Sequence, residues 1–592
     1  MTTLRGNSSG ESAHYTHPVT TDQLSPTARH ELVVGLDGLH VDVLVVGGGV
    51  TGTGAALDAA ARGLGVLLVE RRDLAAGTSS RSSKLIHGGL RYLEQWNISL
   101  VREALHERGQ LTRSICPHLV QPLSFLYPLT HRVWERPYVG AGVALYDGLA
   151  ALGDDALPRH RHLSRKGALQ EFPGLRADAL VGAVQYWDAQ VDDARHTMMV
   201  MRTAAARGAR LLTNGEVVEF TGLESGRVTG AVVLDRESGR RSTVTADVVV
   251  NATGVWGERT EQLAGRPGLE MRASKGIHLV VPRDRIEGSG GVITKTRTSV
   301  LFIIPFGDHW LLGTTDTDWT ESLEHPAANS ADVRYVLDQA NAILATPLGP
   351  DDITGVYSGL RPLIAGNEAE TAELSREHAT ARPLPGLVSI AGGKYTTYRV
   401  MAADAIDAAV DERRALGRSP VGPSITSELP LHGADGYDEA LADVQGWSDR
   451  LGVSTTQVRR LLGRYGSGIS EIGDLIAEEP DWVRTLDGGA PYLEAEVVLA
   501  ARAEGARHVE DVLTRRTRLS FECADRGVQA SSRVADLVGE QLGWDAGRRD
   551  LEVATYTERV AAERAAEQTA DDAAAMRARL VARDIRALLT AP

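Results

Sequence analysis

Residues 41–70, VDVLVVGGGVTGTGAALDAAARGLGVLLVE, decide how the rest of the chain is organised. Val41 and the run Val43, Leu44, Val45 and Val46 form a nearly all-apolar, mostly β-branched segment, the pattern of a parallel strand buried on both faces. Gly47, Gly49 and Gly52 follow at G-x-G-x-x-G spacing. The first glycine lets the chain turn, the second lets a pyrophosphate approach the backbone, and the third lets the helix lie close to the sheet. An alanine-rich helix comes next, with unpaired N–H groups and a positive dipole end aimed at that pyrophosphate. It stops at Gly63, and a second strand ends on Glu70, where a carboxylate can hold both hydroxyls of an adenosine ribose. A 2′-phosphate would meet that negative charge, so FAD or NAD is favoured over NADP. The glycine spacing alone is a weak signal, equally a tight turn. With both strands, the helix and the acid at the right distances it predicts a dinucleotide fold, without saying which dinucleotide.

The length of 592 residues corresponds to about four domain equivalents, or about two or three if the domains are large. Hydrophobic content of 43% and charged content of 24% describe an ordinary globular chain. A formal net charge of −15 argues against a general nucleic-acid binder, which needs clustered cations. It leaves a small anionic substrate open, because that responds to local charge only. Cys116 and Cys523 supply neither a disulfide framework nor a metal-ligand spacing, so no metal is expected and a reducing cytosol is the expected setting. Residues 1–37 lack a cationic start followed by an apolar core, and read as a mobile arm rich in Ser, Thr and His. No run of roughly eighteen apolar residues suggests a membrane span.

Beyond Glu70 lies RRDLAAGTSSRSSKLIHGGLRYLE, residues 71–94. Hydroxyl-rich loops are usually solvated, but one leaving a strand's carboxyl end lies beside the dinucleotide cleft. Thr78, Ser79, Ser80, Ser83 and Lys84 are therefore candidate cofactor contacts, the hydroxyls donating to phosphate and the lysine adding charge. His87, Gly88 and Gly89 allow close backbone approach, and Arg91 and Tyr92 project from an expected helix start. Residues 134–152 form a more apolar helix; packing within the fold is favoured, and attachment to a membrane interface is the alternative. A helix capped by Asp192 or Asp193 leads to strands ending in Val250-Asn251-Ala252-Thr253-Gly254, a second wall for the nucleotide site. Residues 273–320 carry strands of antiparallel character, as in a substrate domain inserted into the cofactor domain. Residues 357–363, containing Arg361, read as a short strand or turn. A buried strand at 387–390 then runs into Gly392-Gly393-Lys394-Tyr395-Thr396, a second helix start facing the cofactor region. After about Leu416, Pro420 and Pro423 mark a linker, and the remainder is nearly all helical, ending in a long helix rich in Ala, Glu and Arg.

Several uncommon strings then occur in one order: SSKLIHGGLRYLE at 82–94, VNATG at 250–254, KGIHLVVP at 275–282, GTTDTD at 313–318, YSGLRPL at 357–363 and GGKYTTYR at 392–399. Together with residues 494–519 they resemble the FAD-dependent, quinone-linked glycerol-3-phosphate dehydrogenase family. That family belongs to the flavoproteins related to glycine oxidase and D-amino-acid oxidase. The resemblance implies an α/β fold: a Rossmann-like FAD-binding domain over residues 38–415, an inserted antiparallel substrate domain mainly at 116–190 and 270–350, and a C-terminal α-helical domain at 425–592. It implies FAD as hydride acceptor, oxidation of sn-glycerol 3-phosphate to dihydroxyacetone phosphate, and reoxidation of the flavin by a respiratory quinone.

The resemblance assigns substrate binding to Arg91, Tyr92, His278, Arg361 and Lys394, and adds Gly254, Gly392, Gly393, Lys394, Thr396, His87 and Gly88 to the cofactor contacts. A phosphomonoester is nearly a dianion, which suits an arginine fork and a mobile lysine charge. On the residues alone, Arg91 and Arg361 could equally pair with structural carboxylates, and Lys394 could be solvated. His278 is the candidate base for the C2 hydroxyl, Arg361 a stabiliser of the developing alkoxide, and His87 an alternative that positions the flavin. Quinone use implies attachment at the cytoplasmic face of the inner membrane. An oxidase using oxygen, an amine oxidase on the same fold, and a flavin-binding scaffold whose helical tail docks a partner are the competing readings; a homodimer is left open.

Overall fold

The structure, a computed structural model, describes residues 21–93, 96–131, 133–151, 157–296, 300–365, 377–486 and 490–589. Its first sheet is built on the opening stretch. Strand His40–Val46 lies between Val66–Glu70 and Arg241–Asn251, parallel to both; Arg210–Thr213 and Leu387–Gly392 extend the parallel order on either side. Val43 and Val45 face one hydrophobic cluster with helices Val50–Ala61, Asp193–Ala206 and Tyr398–Ala415, while Leu44 and Val46 face another. Both faces are covered, which is why the strand reads as an unbroken apolar run. The carboxyl ends of these strands, Val46, Glu70, Asn251 and Gly392, leave a crevice at one edge, where α/β sheets bind ligands.

The second sheet is mainly antiparallel and crosses over that crevice. Its longest pairing joins Met271–Pro282 to Gly355–Ile364, in register from Met271↔Ile364 to Val280↔Gly355. Beyond the stretches 116–190 and 270–350, where the insertion is mainly expected, this sheet also includes Gly355–Ile364 and Leu85–Ile86. The segment 355–364 carries two glycines, an arginine and a proline, so its alternation is too broken to read as a full strand.

Two further boundaries move. Within the expected N-terminal arm, residues 1–20 lie outside the described part, but Pro26–Val34 is a helix, capped by Ser25 and fastened by Arg29 to Asp235 at 2.7 Å. Pro26 at the first helical turn and a serine cap are a helix-start signal that the polar composition around them obscures. At the other end, the expected long terminal helix is Ala546–Glu567. The chain then turns and adds Asp572–Arg579 and Ile585–Leu589.

The C-terminal helices enclose their own core, with Leu461, Leu462, Val497, Val498, Val534 and Val538 at its centre. They join the first unit through buried charge. Asp73 accepts from Arg515 at 2.5 Å and from Arg516 at 2.7 Å, and Arg195 donates to Glu504 at 2.9 Å. His508, with no exposed surface, bridges Glu237 and Glu552, each at 2.8 Å. Helix Glu135–Ala151 buries Val143, Tyr146 and Ala150, the packed face favoured from sequence; its other side leaves Tyr138 and Leu145, with Trp134 just before it, exposed.

Candidate active site

One large cavity, about 660 Å³, runs from the carboxyl edge of the parallel sheet to the face of the antiparallel one. At the first end the backbone is shaped for a diphosphate. Gly47 has φ +108°, and a Cβ there would lie 2.7 Å from Ala252 O; a Cβ on Gly52 would lie 1.9 Å from Gly47 O. Only glycine permits that contact between the helix and the turn. Ser79 Oγ accepts from Val50 N at 2.9 Å and so caps the first turn of this helix. Glu70 accepts from Gly48 N at 2.6 Å and Arg72 N at 2.8 Å. Burial raises its pKa, and those two donors oppose the rise. Ala252, Thr253 and Gly254 form the facing wall. A glycine cradle, a helix start and a carboxylate beyond the second strand fit the ADP half of FAD.

Thr78, Ser79, Ser82 and Ser83 line the cavity. Lys84 departs from the sequence reading. It is buried, pairs with Asp193 and donates to Ser80 O at 2.7 Å, so its charge serves the packing of helix Asp193–Ala206 rather than a phosphate. Ser80 is not part of the lining either. Gly52 and Gly88 act from behind it, the latter donating its N–H to Tyr146 Oη at 2.8 Å. His87 and Thr396 are joined by two hydrogen bonds of 3.1 Å, which tie the loop after the second strand to the second helix start.

The other end is set by strand register. His278 stands opposite Tyr357, and Ser274 opposite Arg361. Because side chains alternate, Gly276, His278, Gly359 and Arg361 all present to the cavity. The His278 ring stacks on Tyr357 at 4.8 Å and 13°, and Nε2 is 2.9 Å from Ser83 Oγ. Burial, with the Arg361 and Lys84 charges behind it, holds His278 well below the usual histidine range, so the ring is neutral at pH 7. Arg361 donates to Thr314 Oγ1 at 3.0 Å and Thr315 O at 3.1 Å, with Asp316 at 3.5 Å. Lys394 Nζ lies 4.0 Å from the centre of the Tyr92 ring. Arg91 lies in the short turn Leu90–Leu93, but its side chain lies outside what is described. The cavity thus brings together His278, Arg361, Lys394, Tyr92 and His87.

Sequence reasoning missed Tyr357, Gly359, Thr314 and Thr315. The first two were within reach: they lie at two-residue steps from Arg361, as one strand face requires.

Residues 42–399 match the family of FAD-dependent oxidoreductases, and residues 424–549 match the C-terminal domain of α-glycerophosphate oxidase. The chain is 52% identical to glycerol-3-phosphate dehydrogenase 2 of Mycobacterium tuberculosis over 96% of each chain. It belongs to the FAD-dependent glycerol-3-phosphate dehydrogenase family. The human mitochondrial glycerol-3-phosphate dehydrogenase is 35% identical over 90% of this chain and 74% of its own length. The Bacillus halodurans glycerol-3-phosphate dehydrogenase, solved as a complex with FAD, superposes with a TM-score of 0.74 at 28% identity, over 91% of this chain and 98% of that one. The family assignment makes FAD the cofactor, in accord with the cradle around Gly47 and Gly52.

Proposed function

We propose that the protein oxidises sn-glycerol 3-phosphate to dihydroxyacetone phosphate and passes the electrons to a respiratory quinone. The observation that carries this reading is the grouping of a buried neutral histidine with an arginine and a lysine in one cavity beside the dinucleotide cradle. The names of the related dehydrogenases supply the substrate.

Bound FAD would accept the C2 hydrogen as hydride. Lys394, Arg361 and, by resemblance, Arg91 offer the cations that a phosphate dianion needs. His278 takes the C2 hydroxyl proton at Nε2, exchanging its Ser83 partner for the substrate hydroxyl. Arg361, held by Thr314 and Thr315, offsets charge that develops on that oxygen. The stacked Tyr357 ring fixes the imidazole plane and excludes water from one face. Anaerobic mixing of the holoenzyme with glycerol 3-phosphate should bleach the flavin absorbance. An unbleached spectrum at saturating substrate refutes the reading, and peroxide formed in step with substrate would move the acceptor from quinone to oxygen.

A lipid-borne acceptor calls for peripheral attachment, on the cytoplasmic face of the inner membrane. Val133, Trp134 and Tyr138 are 85%, 58% and 53% exposed and adjacent, an aromatic group suited to the bilayer interface. Among the described residues no helix is long and apolar enough to cross a membrane. Trp134→Ser with Tyr138→Ser should weaken co-flotation with anionic vesicles; unchanged flotation removes this surface from consideration.

A further inference from the structure

The three residues that follow the ribose carboxylate are each held from outside the dinucleotide fold. Arg71 pairs with Glu324 and, at 3.2 Å, with Glu216. Arg72 meets the His325 ring and lies 4.0 Å from Asp584. Asp73 is taken by Arg515 and Arg516 of the C-terminal domain. Arg71, Arg72, Glu216 and Glu324 line the cavity, so the irregular loop 319–329 that carries Glu324 and His325 walls its adenosine end.

That loop has no ladder or helix of its own; besides Trp319 N on Ala273 O and Glu324 on Arg71, it is held by the last part of the chain. Ser330 N donates to Thr569 O at 2.9 Å, and Asn329 Nδ2 to Asp572 Oδ1 at 2.6 Å. Arg579 Nη2 is 3.3 Å from His325 Nδ1. Lys275, a buried residue of strand Met271–Pro282, is shared between Asp332 at 2.5 Å and Asp572. Trp319 and Ala327 pack with Ala575 and Met576 in one apolar cluster that also contains the cavity-wall residues Val255 and Leu360. These contacts come nearest the His278 and Arg361 end at Lys275, which faces Leu360 in the ladder beside Arg361. The segment lies past residue 549, outside both matched family regions.

We propose that residues 566–579 brace the FAD site from outside: they hold loop 319–329 against Arg71 and Arg72, and so set how long the cofactor stays bound. Two groups that order the same loop must strengthen each other's binding by the same factor. Losing the tail contacts therefore loosens FAD, and losing FAD loosens the tail.

The test measures FAD dissociation from diluted holoenzyme by the rise of flavin fluorescence. Asp572→Ala leaves Lys275 its Asp332 partner, so the fold is kept. Dissociation should quicken about tenfold. Asp572→Asn should quicken it less, and Arg583→Ala, which breaks only a surface pair with Glu558, not at all. Hydrogen exchange of wild-type residues 566–579 should be faster in the apoprotein than in the holoenzyme. Unchanged dissociation in both Asp572 variants overturns the proposal, as does tail exchange that is the same with and without FAD.

Discussion

Raising the pH from 6 to 9 should destabilise the folded protein through one buried group, His508. Burial alone would lower its pKa, but Glu552 and Glu237 on either side overcome both that and the Arg586 charge, and lift it to about 9. The folded-state value lies above the unfolded one, near 6.5. Its contribution is therefore fully present below pH 6.5 and is lost as the pH climbs through about 9. A rise of that size corresponds to about 3 kcal/mol. The two carboxylates do not confound the window, since both are held below their ordinary values and stay ionised throughout it. Thermal unfolding of the holoenzyme at pH 6, 7.5 and 9, at one scan rate, should show Tm falling by about 2–3 °C across the series. His508→Gln should start lower at pH 6, because Glu237 and Glu552 then keep Arg548, Arg507 and the Val509 N–H but lose the imidazolium between them, and should lose most of the slope. A flat wild-type profile, or an equal slope in the variant, would falsify the assignment of charge to this histidine.

His278→Gln should keep its flavin spectrum while the rate of flavin reduction by glycerol 3-phosphate falls by about 10²–10⁴-fold; a loss under tenfold in stopped-flow absorbance removes His278 as the base. Because His278 is held well below 6.5, kcat/KM of the wild type should show no acid limb near pH 6.5, and such a limb would contradict the neutral ring. Gly52→Ala forces a Cβ to 1.9 Å from Gly47 O, so the purified protein should carry little FAD; a normal ratio of flavin to protein absorbance would count against the close approach. Asp73→Ala removes the carboxylate shared by the buried Arg515 and Arg516, leaving them Asp511 and Glu504, and should cost about 1–3 kcal/mol, read as a lower denaturant midpoint. A midpoint that does not move would mean that Asp511 and Glu504 suffice for those arginines.

Much of the fold could be read from residue order because its decisive element is local. Strand, glycine turn, helix and Glu70 occupy thirty consecutive residues, and each step uses a short-range rule. The C-terminal helical domain was equally open to its periodicity and caps. What stayed hidden depends on register between distant segments. Nothing near Lys84 announces Asp193, more than a hundred residues on, so a lysine in a hydroxyl-rich loop reads as a phosphate contact when it is a buried ion pair. The partnership of His278 with Tyr357 likewise follows only from pairing Met271–Pro282 with Gly355–Ile364. The tethers of loop 319–329 join residues about two hundred and fifty positions apart, and no local pattern carries them.

The two sheets are threaded through each other, and this constrains how the chain can be made. The polypeptide leaves the parallel sheet after Glu70, returns at Arg210, leaves again after Asn251 and comes back only with His378–Leu384 and Leu387–Gly392. During synthesis, strand Arg241–Asn251 waits about 140 residues for Leu387–Gly392 to cover the edge at Val249, Val250 and Asn251. Until then it presents an apolar edge that invites pairing with other chains. Ribosome-bound chains stopped before residue 378 should accordingly depend on chaperones to stay in solution, whereas those released beyond Tyr398–Ala415 can bury that strand on both sides.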